Sequence, residues 1–333
     1  MSESASQLLS SAHLPDLSTL TAGLTAALIR NGFAKRRVTV LARTPNVYTG
    51  TYPTELIQCQ IDGQRKLTLL CKYEDGHPIV SYGHRGGIAY EAEVYRTVLV
   101  PLQMTTPAWY GTQCDEATGQ TFLIVEYLAN TLWVAKDSAS SLSSSMQLAA
   151  RWIGQFHAIN EQRLFKTSIP FLTTYDAIYY RGWVARAVEF AGPLHRRFPW
   201  FQRVCDRTEE WMALLLAPPV TIIHGEFYQK NVLLRDGTIY PVDWQSAAIA
   251  SGEIDLAALV ERWPAAIARA CEDAYQRARW PDGAPTDFLR RLDAARVYLQ
   301  FRWLGDRPEW TTDEACHWRF EPLRLTATRL GLI

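Results

Sequence analysis

Residues 224–231 read HGEFYQKN, and a mostly apolar run, YPVDW, follows at residues 240–244. The first stretch places a carboxylate, Glu226, five residues before the amide of Asn231, and the second adds the carboxylate of Asp243. Carboxylate and amide oxygens are the ligands that Mg²⁺ prefers, and a further carboxylate can orient or deprotonate an attacking hydroxyl. This order of residues is the layout of a phosphoryl-transfer site.

A β-hairpin is predicted between the two stretches. The segments at 232–235 and 238–242 are apolar and β-branched, and they flank Asp236-Gly237, a pair that favours a type I′ turn. In such a hairpin Asn231 and Asp243 emerge side by side at the open end. The two proposed metal ligands are thereby expected to lie together.

These motifs resemble those of the aminoglycoside phosphotransferase and choline kinase-like family, small-molecule kinases with a protein-kinase-like fold. The usual family form begins His-Gly-Asp, ends in Asn, and is followed by Ile-Asp-Trp. Glu226 stands where the family has Asp, and displacing a catalytic group by about an ångström can cost roughly 10²-fold in rate. Gly252, Asp255 and the apolar helix pattern around them continue the likeness.

The resemblance implies an α+β, bilobal fold with a small antiparallel-sheet N-lobe and a larger, mostly helical C-lobe. The predicted domains are an N-terminal helical extension at 1–36, the N-lobe at 37–130 and the C-lobe at 131–333. Strand-like segments at 37–43, 54–61 and 66–73 favour the antiparallel sheet. An amphipathic pattern at 17–28 predicts a helix packed on that lobe, capped by Asp16 or Ser18.

The resemblance also implies a reaction. ATP or GTP would donate its γ-phosphate to a hydroxyl of a small metabolite, sugar-like natural product or antibiotic. Glu226 would receive or orient that hydroxyl, and Asn231 and Asp243 would hold Mg²⁺, so these three residues form the predicted catalytic set. His224 is expected to buttress the loop rather than transfer protons.

The nucleotide-binding residues are predicted mainly in the N-lobe. Lys72 lies in the third strand, and in the following helix Glu91 shares the packed face with apolar residues, whereas Glu93 does not. By the resemblance, Lys72 and Glu91 would pair to hold the α- and β-phosphates, with Glu93 as the alternative partner. Gly50, in the turn between the first two strands, would approach the phosphates. The acidic-aromatic step formed by Glu126, Tyr127 and Leu128 resembles the inter-lobe hinge that binds the base.

In the C-lobe, the serine-rich stretch at 138–145 is expected to be a flexible connector, followed by a helix in which His157 is packed rather than catalytic. A helical pattern extends from 262 to 333. Tryptophans there are expected to serve mainly as core residues, and some could stack on a sugar or an organic cation: Trp263, Trp280, Trp303 and Trp310.

Composition excludes several classes of protein. Lysine plus arginine equals aspartate plus glutamate, 34 each, so there is no electrostatic basis for binding nucleic acid or an anionic membrane. The six cysteines lack zinc-site spacing and are expected to be reduced. The N-terminus has no basic region ahead of an apolar stretch, so a signal peptide is not expected. No run approaches the roughly 18 apolar residues that a membrane span requires. These observations predict a cytoplasmic protein. The sequence carries no signal for an oligomeric state.

Two competing functions are disfavoured because the motifs they require are missing from the sequence. A zinc deaminase would require a Pro-Cys-x-x-Cys motif, and a protein kinase would require His-Arg-Asp, Asp-Phe-Gly and Ala-Pro-Glu; none occurs. The substitution at Glu226 leaves open a catalytically degraded, nucleotide-binding regulatory protein. Residues 251–333 contain 13 acidic residues against 12 arginines and no lysine, which disfavours a polycationic aminoglycoside as acceptor. Sugars, amino alcohols and homoserine-like metabolites remain open.

Overall fold

The computed structural model describes residues 14–46, 52–74, 82–114 and 121–333. The chain divides into two compact units. The first comprises Met1–Thr131 and Tyr240–Gln245, and the second comprises Leu132–Ile239 and Ser246–Ile333.

A five-stranded antiparallel sheet forms the first unit, in the order β1-β2-β3-β5-β4. The predicted strands are confirmed, because alternating apolar side chains give this sheet one buried face. The turn at Asp62-Gly63 joins β2 to β3, with both residues at positive φ. The strands are β1 (Val38–Pro45), β2 (Thr54–Ile61), β3 (Arg65–Tyr73), β4 (Trp109–Cys114) and β5 (Thr121–Glu126).

Two helical segments accompany the sheet. Helix α1 (Leu17–Arg30) begins after Asp16, whose carboxylate accepts a hydrogen bond from the backbone N–H of Thr19 at 2.7 Å, as predicted for the cap. Its residues Leu20, Leu24 and Leu28 are fully buried in the same apolar cluster as residues of β2, β3 and β5, which confirms that α1 packs on the sheet, whereas Leu17 is exposed. Helix α2 (Ile88–Val94) continues through a π-helical turn, Tyr95–Leu99, to a last turn, Val100–Leu102.

The second unit is mostly helical, as predicted. Its helices are α3 (Leu142–Leu164), α4 (Ala177–Ala191), α5 (Phe201–Asp206), α6 (Thr208–Leu216), α7 (Glu253–Leu259), α8 (Ala265–Arg279), α9 (Phe288–Asp306), α10 (Pro308–Thr312) and α11 (Phe320–Arg329). Short 3₁₀ turns occur at Val134–Lys136, Gly192–Leu194, Gln229–Asn231 and Glu314–Arg319. Helix α9 is central: it packs on α4, α6, α7 and α11.

Short strands complete this part of the fold. They form two small sheets, ordered β10-β9-β6 and β7-β11-β8. The strands are β6 (Leu132–Trp133), β7 (Thr173–Thr174), β8 (Thr221–Ile223), β9 (Val232–Arg235), β10 (Thr238–Pro241) and β11 (Ala248–Ala250). Asp236 and Gly237 both have positive φ, 50° and 72°, which a type I′ turn requires.

One local prediction is wrong. The serine-rich stretch is not a connector throughout, because α3 begins at Leu142 and includes three of its serines. Ser145 donates a hydrogen bond to Asp137, and the backbone N–H of Ser138 donates to the same carboxylate at 2.7 Å. These side-chain contacts stabilise the turn before the helix, which serine content alone does not indicate. Among the described residues, no helix combines the length and the apolar character needed to cross a membrane.

Candidate active site

In the first unit, Lys72, Glu91 and Asp243 form a charged group that we call the lysine cluster. Strand β3 carries Lys72, helix α2 carries Glu91, and Asp243 follows β10. The Nζ atom of Lys72 lies 2.6 Å from Oε2 of Glu91 and 2.5 Å from Oδ1 of Asp243. The structure thus pairs Lys72 with Glu91, while Glu93 instead bonds Arg96.

Burial makes the lysine cluster electrostatically strong. The side chains of Lys72, Glu91 and Asp243 are 12%, 3% and 31% exposed, so Asp243 is the member open to solvent. Desolvation works against the charged lysine, but Asp243 and Glu91 together raise the pKa of Lys72. Desolvation, with Asp243 adding to it, raises the pKa of Glu91 against the opposing effect of Lys72. The cluster holds one cation between two carboxylates.

The backbone around Asp243 is unusual. Asp243 has a φ of 70°, in the left-handed region that few non-glycine residues adopt. The next N–H, of Trp244, donates to Oε1 of Glu91 at 3.1 Å, and the buried Trp244 indole donates to the carbonyl of Pro241 at 3.3 Å. Glu91 therefore fixes both the lysine and the peptide after Asp243.

The predicted hinge is the end of β5. The backbone N–H of Glu126 donates to Ala108 O at 2.8 Å, and that of Tyr127 donates to Thr68 O at 3.3 Å. Both donors are therefore used within the first unit. Gly50, the predicted phosphate contact, lies outside the described residues.

In the second unit, the loop after β8 carries the predicted catalytic carboxylate. Gly225 has a φ of 81°, and a Cβ atom there would lie 2.0 Å from the carbonyl oxygen of Ser246, so only glycine fits. Glu226 is 3% exposed. Asn231 donates from Nδ2 to the carbonyl of Glu226 at 2.9 Å, which closes the loop and orients its amide.

A buried hydrogen-bond network supports this loop. Asp255, at the start of α7, accepts hydrogen bonds from the backbone N–H groups of His224 and Gly225 at 2.6 and 2.9 Å. His157 of α3 lies 3.1 Å from the same carboxylate through Nε2, while its Nδ1 lies 2.9 Å from the hydroxyl of Tyr275. These partners favour the neutral Nε2–H tautomer. Burial lowers the pKa of His157 despite the nearby Asp255.

The sequence indicated the residues that support this loop only in part. His224 accepts a bond from the N–H of Glu226 at 3.3 Å, a buttressing contact of the kind expected. A Cβ atom on Gly252 would lie 2.6 Å from Nδ1 of His157, so this glycine makes room for the network. Asp255 belonged to the motif likeness, but its task of holding two loop amides depends on tertiary contacts that the sequence does not reveal.

Arg302 is the functional candidate that sequence reasoning missed. It lies on α9, is 1% exposed, and its Nη1 lies 3.4 Å from Oε1 of Glu226. Its Nη2 donates to the hydroxyl of Tyr228, which also accepts a bond from Nε1 of Trp303 at 2.8 Å. In the sequence this arginine is 76 residues from Glu226, and helix periodicity does not distinguish it from a surface arginine.

Arginines also face several tryptophans of the second unit. The guanidinium carbons of Arg302 and Arg319 lie 4.6 and 4.3 Å from the ring centroid of Trp303. Further pairs are Arg307 with Trp310 at 5.1 Å, Arg279 with Trp280 at 4.4 Å, and Arg262 and Arg319 with Trp318 at 4.4 and 4.3 Å. The protein's own cations thus occupy positions where an organic cation could stack.

The predicted metal ligands, Asn231 and Asp243, are oxygen donors, the type that Mg²⁺ prefers. The described residues contain no group of three or more His, Cys, Asp or Glu side chains that could hold a metal by themselves. Mg²⁺ does not require one, because it keeps several waters and binds through one or two protein oxygens together with substrate phosphates. The oriented amide of Asn231 and the partly exposed carboxylate of Asp243 are oxygen donors of this kind.

Comparisons with known proteins agree with these features. The sequence profile of the Phosphotransferase enzyme family matches residues 78–289. No curated protein matches the chain. Choline kinase from Cryptosporidium parvum Iowa II is similar in structure, with a TM-score of 0.62 at 15% identity, over 96% of this chain and 98% of that one.

Two nucleotide complexes are also similar. The LicA complex with AMP has a TM-score of 0.56 at 11% identity, covering 91% of this chain and 95% of LicA. The GDP complex of aminoglycoside 2'-phosphotransferase-IIIa has a TM-score of 0.53 at 12% identity, covering 91% and 97%. The predicted protein-kinase-like fold class is confirmed.

Proposed function

Because this chain belongs to the Phosphotransferase enzyme family, we propose that it is a small-molecule kinase that transfers the γ-phosphate of ATP or GTP to a hydroxyl group. The lysine cluster carries this proposal. A buried lysine held between two carboxylates is costly to desolvate, and it is the arrangement that positions nucleotide phosphates in kinases. The structural relatives that bind AMP and GDP support a nucleotide as the donor.

Each nucleotide contact has a proposed residue. Lys72 contacts the α- and β-phosphates, and Glu91 keeps it extended. Because the N–H groups of Glu126 and Tyr127 already donate to carbonyls, the N–H of Leu128 is the hinge donor best placed for the base. Asn231 and Asp243 would hold Mg²⁺, which when bound would supply positive charge to neutralise the phosphates.

Glu226 is proposed to act on the acceptor. The acceptor oxygen forms a bond to the γ-phosphorus, the bond from that phosphorus to the β-phosphate oxygen breaks, and ADP or GDP leaves. The hydroxyl proton passes to the Glu226 carboxylate or remains hydrogen-bonded to it during the transfer. Asp255 contributes by holding the loop amides next to Glu226.

The arginines that lie over the tryptophan rings restrict the chemical class of the acceptor. A choline-like or aminoglycoside cation would find the ring of Trp303 already occupied by the guanidinium groups of Arg302 and Arg319. Both arginines are mostly buried and ion-paired, Arg302 with Glu226 and Arg319 with Glu261, so a ligand cation cannot readily displace them. We therefore propose a neutral or anionic hydroxyl compound as acceptor, such as a sugar, a polyol or a hydroxy acid.

A transfer screen tests the proposal. Labelled ATP and GTP are offered with panels of sugars, polyols, hydroxy acids, amino alcohols and aminoglycosides, using wild-type protein and Glu226→Gln as the matched control. Transfer to one neutral or anionic class, slower by roughly 10² to 10⁴-fold in the control, is the expected result. Nucleotide binding without transfer to any panel member would instead favour the regulatory alternative, and transfer mainly to cations would contradict the acceptor class.

A further inference from the structure

Glu226 has an ionic partner that places its carboxylate. Oε1 of Glu226 lies 3.4 Å from Nη1 of Arg302, and the two side chains are 5% and 1% exposed. The other end of the guanidinium donates to Tyr228, two residues after Glu226. The loop is tied together again where the N–H of Tyr228 donates to the carbonyl of Glu226 at 2.7 Å. Arg302 therefore contacts the loop at two points on either side of one turn.

The arginine itself is held firmly. Its guanidinium packs 5.6 Å from the ring centroid of Tyr228 and 4.6 Å from that of Trp303. Helix α9, which carries it, is buried over most of its length. A guanidinium fixed in this way can hold a carboxylate in one direction, because its planar fork loses little freedom on binding.

Stability alone explains this arrangement poorly. The Nε atom of Arg302 is buried and has no hydrogen-bond partner among the described residues. Its contact with Glu226 is a single long one, and a buried ion pair with incomplete hydrogen bonding is a weak stabiliser. What the pair does provide is a defined position for the carboxylate.

Side-chain length connects this contact to the unusual glutamate. An aspartate at position 226 would end about 1.5 Å earlier along the side chain. On an unchanged backbone its carboxylate would lose the hydrogen-bond distance to Arg302, which is already 3.4 Å for Glu226. The longer residue and the buried arginine therefore match each other.

We infer that Arg302 is a positioning residue that directs the Glu226 carboxylate toward the acceptor hydroxyl, so that this chain works with glutamate where the usual motif has aspartate. The inference rests on the proposed function of Glu226. It assigns no substrate contact to Arg302, whose side chain is almost wholly buried.

A double-mutant cycle tests the inference. Glu226→Asp, Arg302→Met and the double variant are compared in steady-state transfer to the acceptor found by the screen. Each single change is expected to lower kcat by about 10²-fold, and the double change to lower it by the same amount, because all three lose one shared geometry. The KM values for nucleotide and acceptor should change by less than about threefold.

Two further variants separate positioning from folding. Arg291→Met removes another buried arginine of α9, which bonds the carbonyls of Ala217, Pro218 and Pro219, so it should lower the melting temperature but leave kcat unchanged. Arg302→Lys keeps the charge without the planar fork and should regain part of the rate lost in Arg302→Met. If Arg302→Met does not fold, the same cycle is measured with Arg302→Lys.

The outcomes are distinct. Losses that multiply to about 10⁴-fold in the double variant would show that the two residues act independently and would overturn the inference. A raised acceptor KM with unchanged kcat in Arg302→Met would make Arg302 a binding residue and would also overturn it. Wild-type protein that binds nucleotide but transfers to no acceptor would overturn the proposed function itself, and the inference with it.

Discussion

Lys72 is the only cation of the lysine cluster, and its removal would leave two carboxylates facing each other. Glu91 is 3% exposed, so it cannot be rehydrated without local rearrangement. We expect Lys72→Ala to lower the free energy of unfolding by about 3 kcal/mol, the lower end of the cost of breaking a buried ion pair. From the sequence alone, this variant would be expected to affect nucleotide binding without unfolding the protein.

Denaturant unfolding measures this loss. Adding Glu91→Gln to Lys72→Ala removes the second charge and should recover part of the stability. Lys66→Ala, an exposed lysine of the same strand, is the matched control and should change the free energy by no more than about 0.5 kcal/mol. Equal effects of the two lysine variants would mean that the ion pair contributes nothing to stability.

Glu226 gives a second prediction at the residue scale. Glu226→Gln should keep nucleotide affinity, since the change is nearly isosteric and lies in the second unit, whereas Lys72 lies in the first. Phosphoryl transfer should fall by roughly 10² to 10⁴-fold, the usual contribution of a positioned acid or base. Calorimetric titration and steady-state rates on the same preparation check both parts. Undiminished transfer would remove Glu226 from the mechanism.

At this scale the sequence revealed only some of the important residues. Glu91 could be chosen over Glu93 because helix periodicity fixes which side chain faces the sheet. Arg302 could not be found in this way, because its importance depends on a contact with a loop far away in the sequence. The left-handed backbone at Asp243 was equally hidden, since nothing in the residue type requires it.

At the scale of elements, α3, α7 and α8 hold the loop after β8 through His157, Asp255 and Tyr275. Because burial lowers the pKa of His157, the folded state binds a proton less readily than the unfolded state does. The stability that depends on the neutral imidazole is therefore present above its ordinary pKa of about 6.5 and is lost as the pH falls below that value.

Urea unfolding at pH 7.5 and at pH 5 tests this direction. Wild-type protein should lose more stability between the two values than His157→Gln, whose side chain does not titrate. The comparison between the proteins removes the contribution of carboxylates, which titrate in both. A His157→Gln variant with the same pH dependence as wild type would show that the imidazole is not the titrating group.

The elements themselves could be predicted where local patterns are strong. The antiparallel strands of the first unit and helix α1 follow from alternation, spacing and a cap. The π-helical turn after α2 and the ordered serine turn before α3 depend on tertiary packing and side-chain hydrogen bonds. These are the features that local propensity cannot specify.

For the whole molecule, the motif in HGEFYQKN and YPVDW led to the fold class, because it resembles the motif of a family with that fold. It did not identify the acceptor. Under the proposed function, acceptor recognition depends on which side chains face one another in the second unit. The balance of acidic and basic residues along the chain does not reveal the arginines gathered around Trp303.

Ligand binding provides the last prediction, at the scale of the whole molecule. A ligand that binds only the folded protein stabilises it by about 2.7 kcal/mol at one hundred times its dissociation constant. Mg²⁺ with ATP or GTP should therefore raise the melting temperature, and the nucleotide giving the larger shift at equal concentration is the preferred donor. Asp243→Asn should remove the part of this shift that depends on Mg²⁺, because it replaces the carboxylate proposed to bind the metal with a neutral amide. Asp236→Asn is the matched control: it lies in the same hairpin at a φ of 50°, against 70° for Asp243, and asparagine tolerates both conformations. If the Mg²⁺-dependent shift in melting temperature persists in both variants, the Mg²⁺ ligands lie elsewhere in the chain.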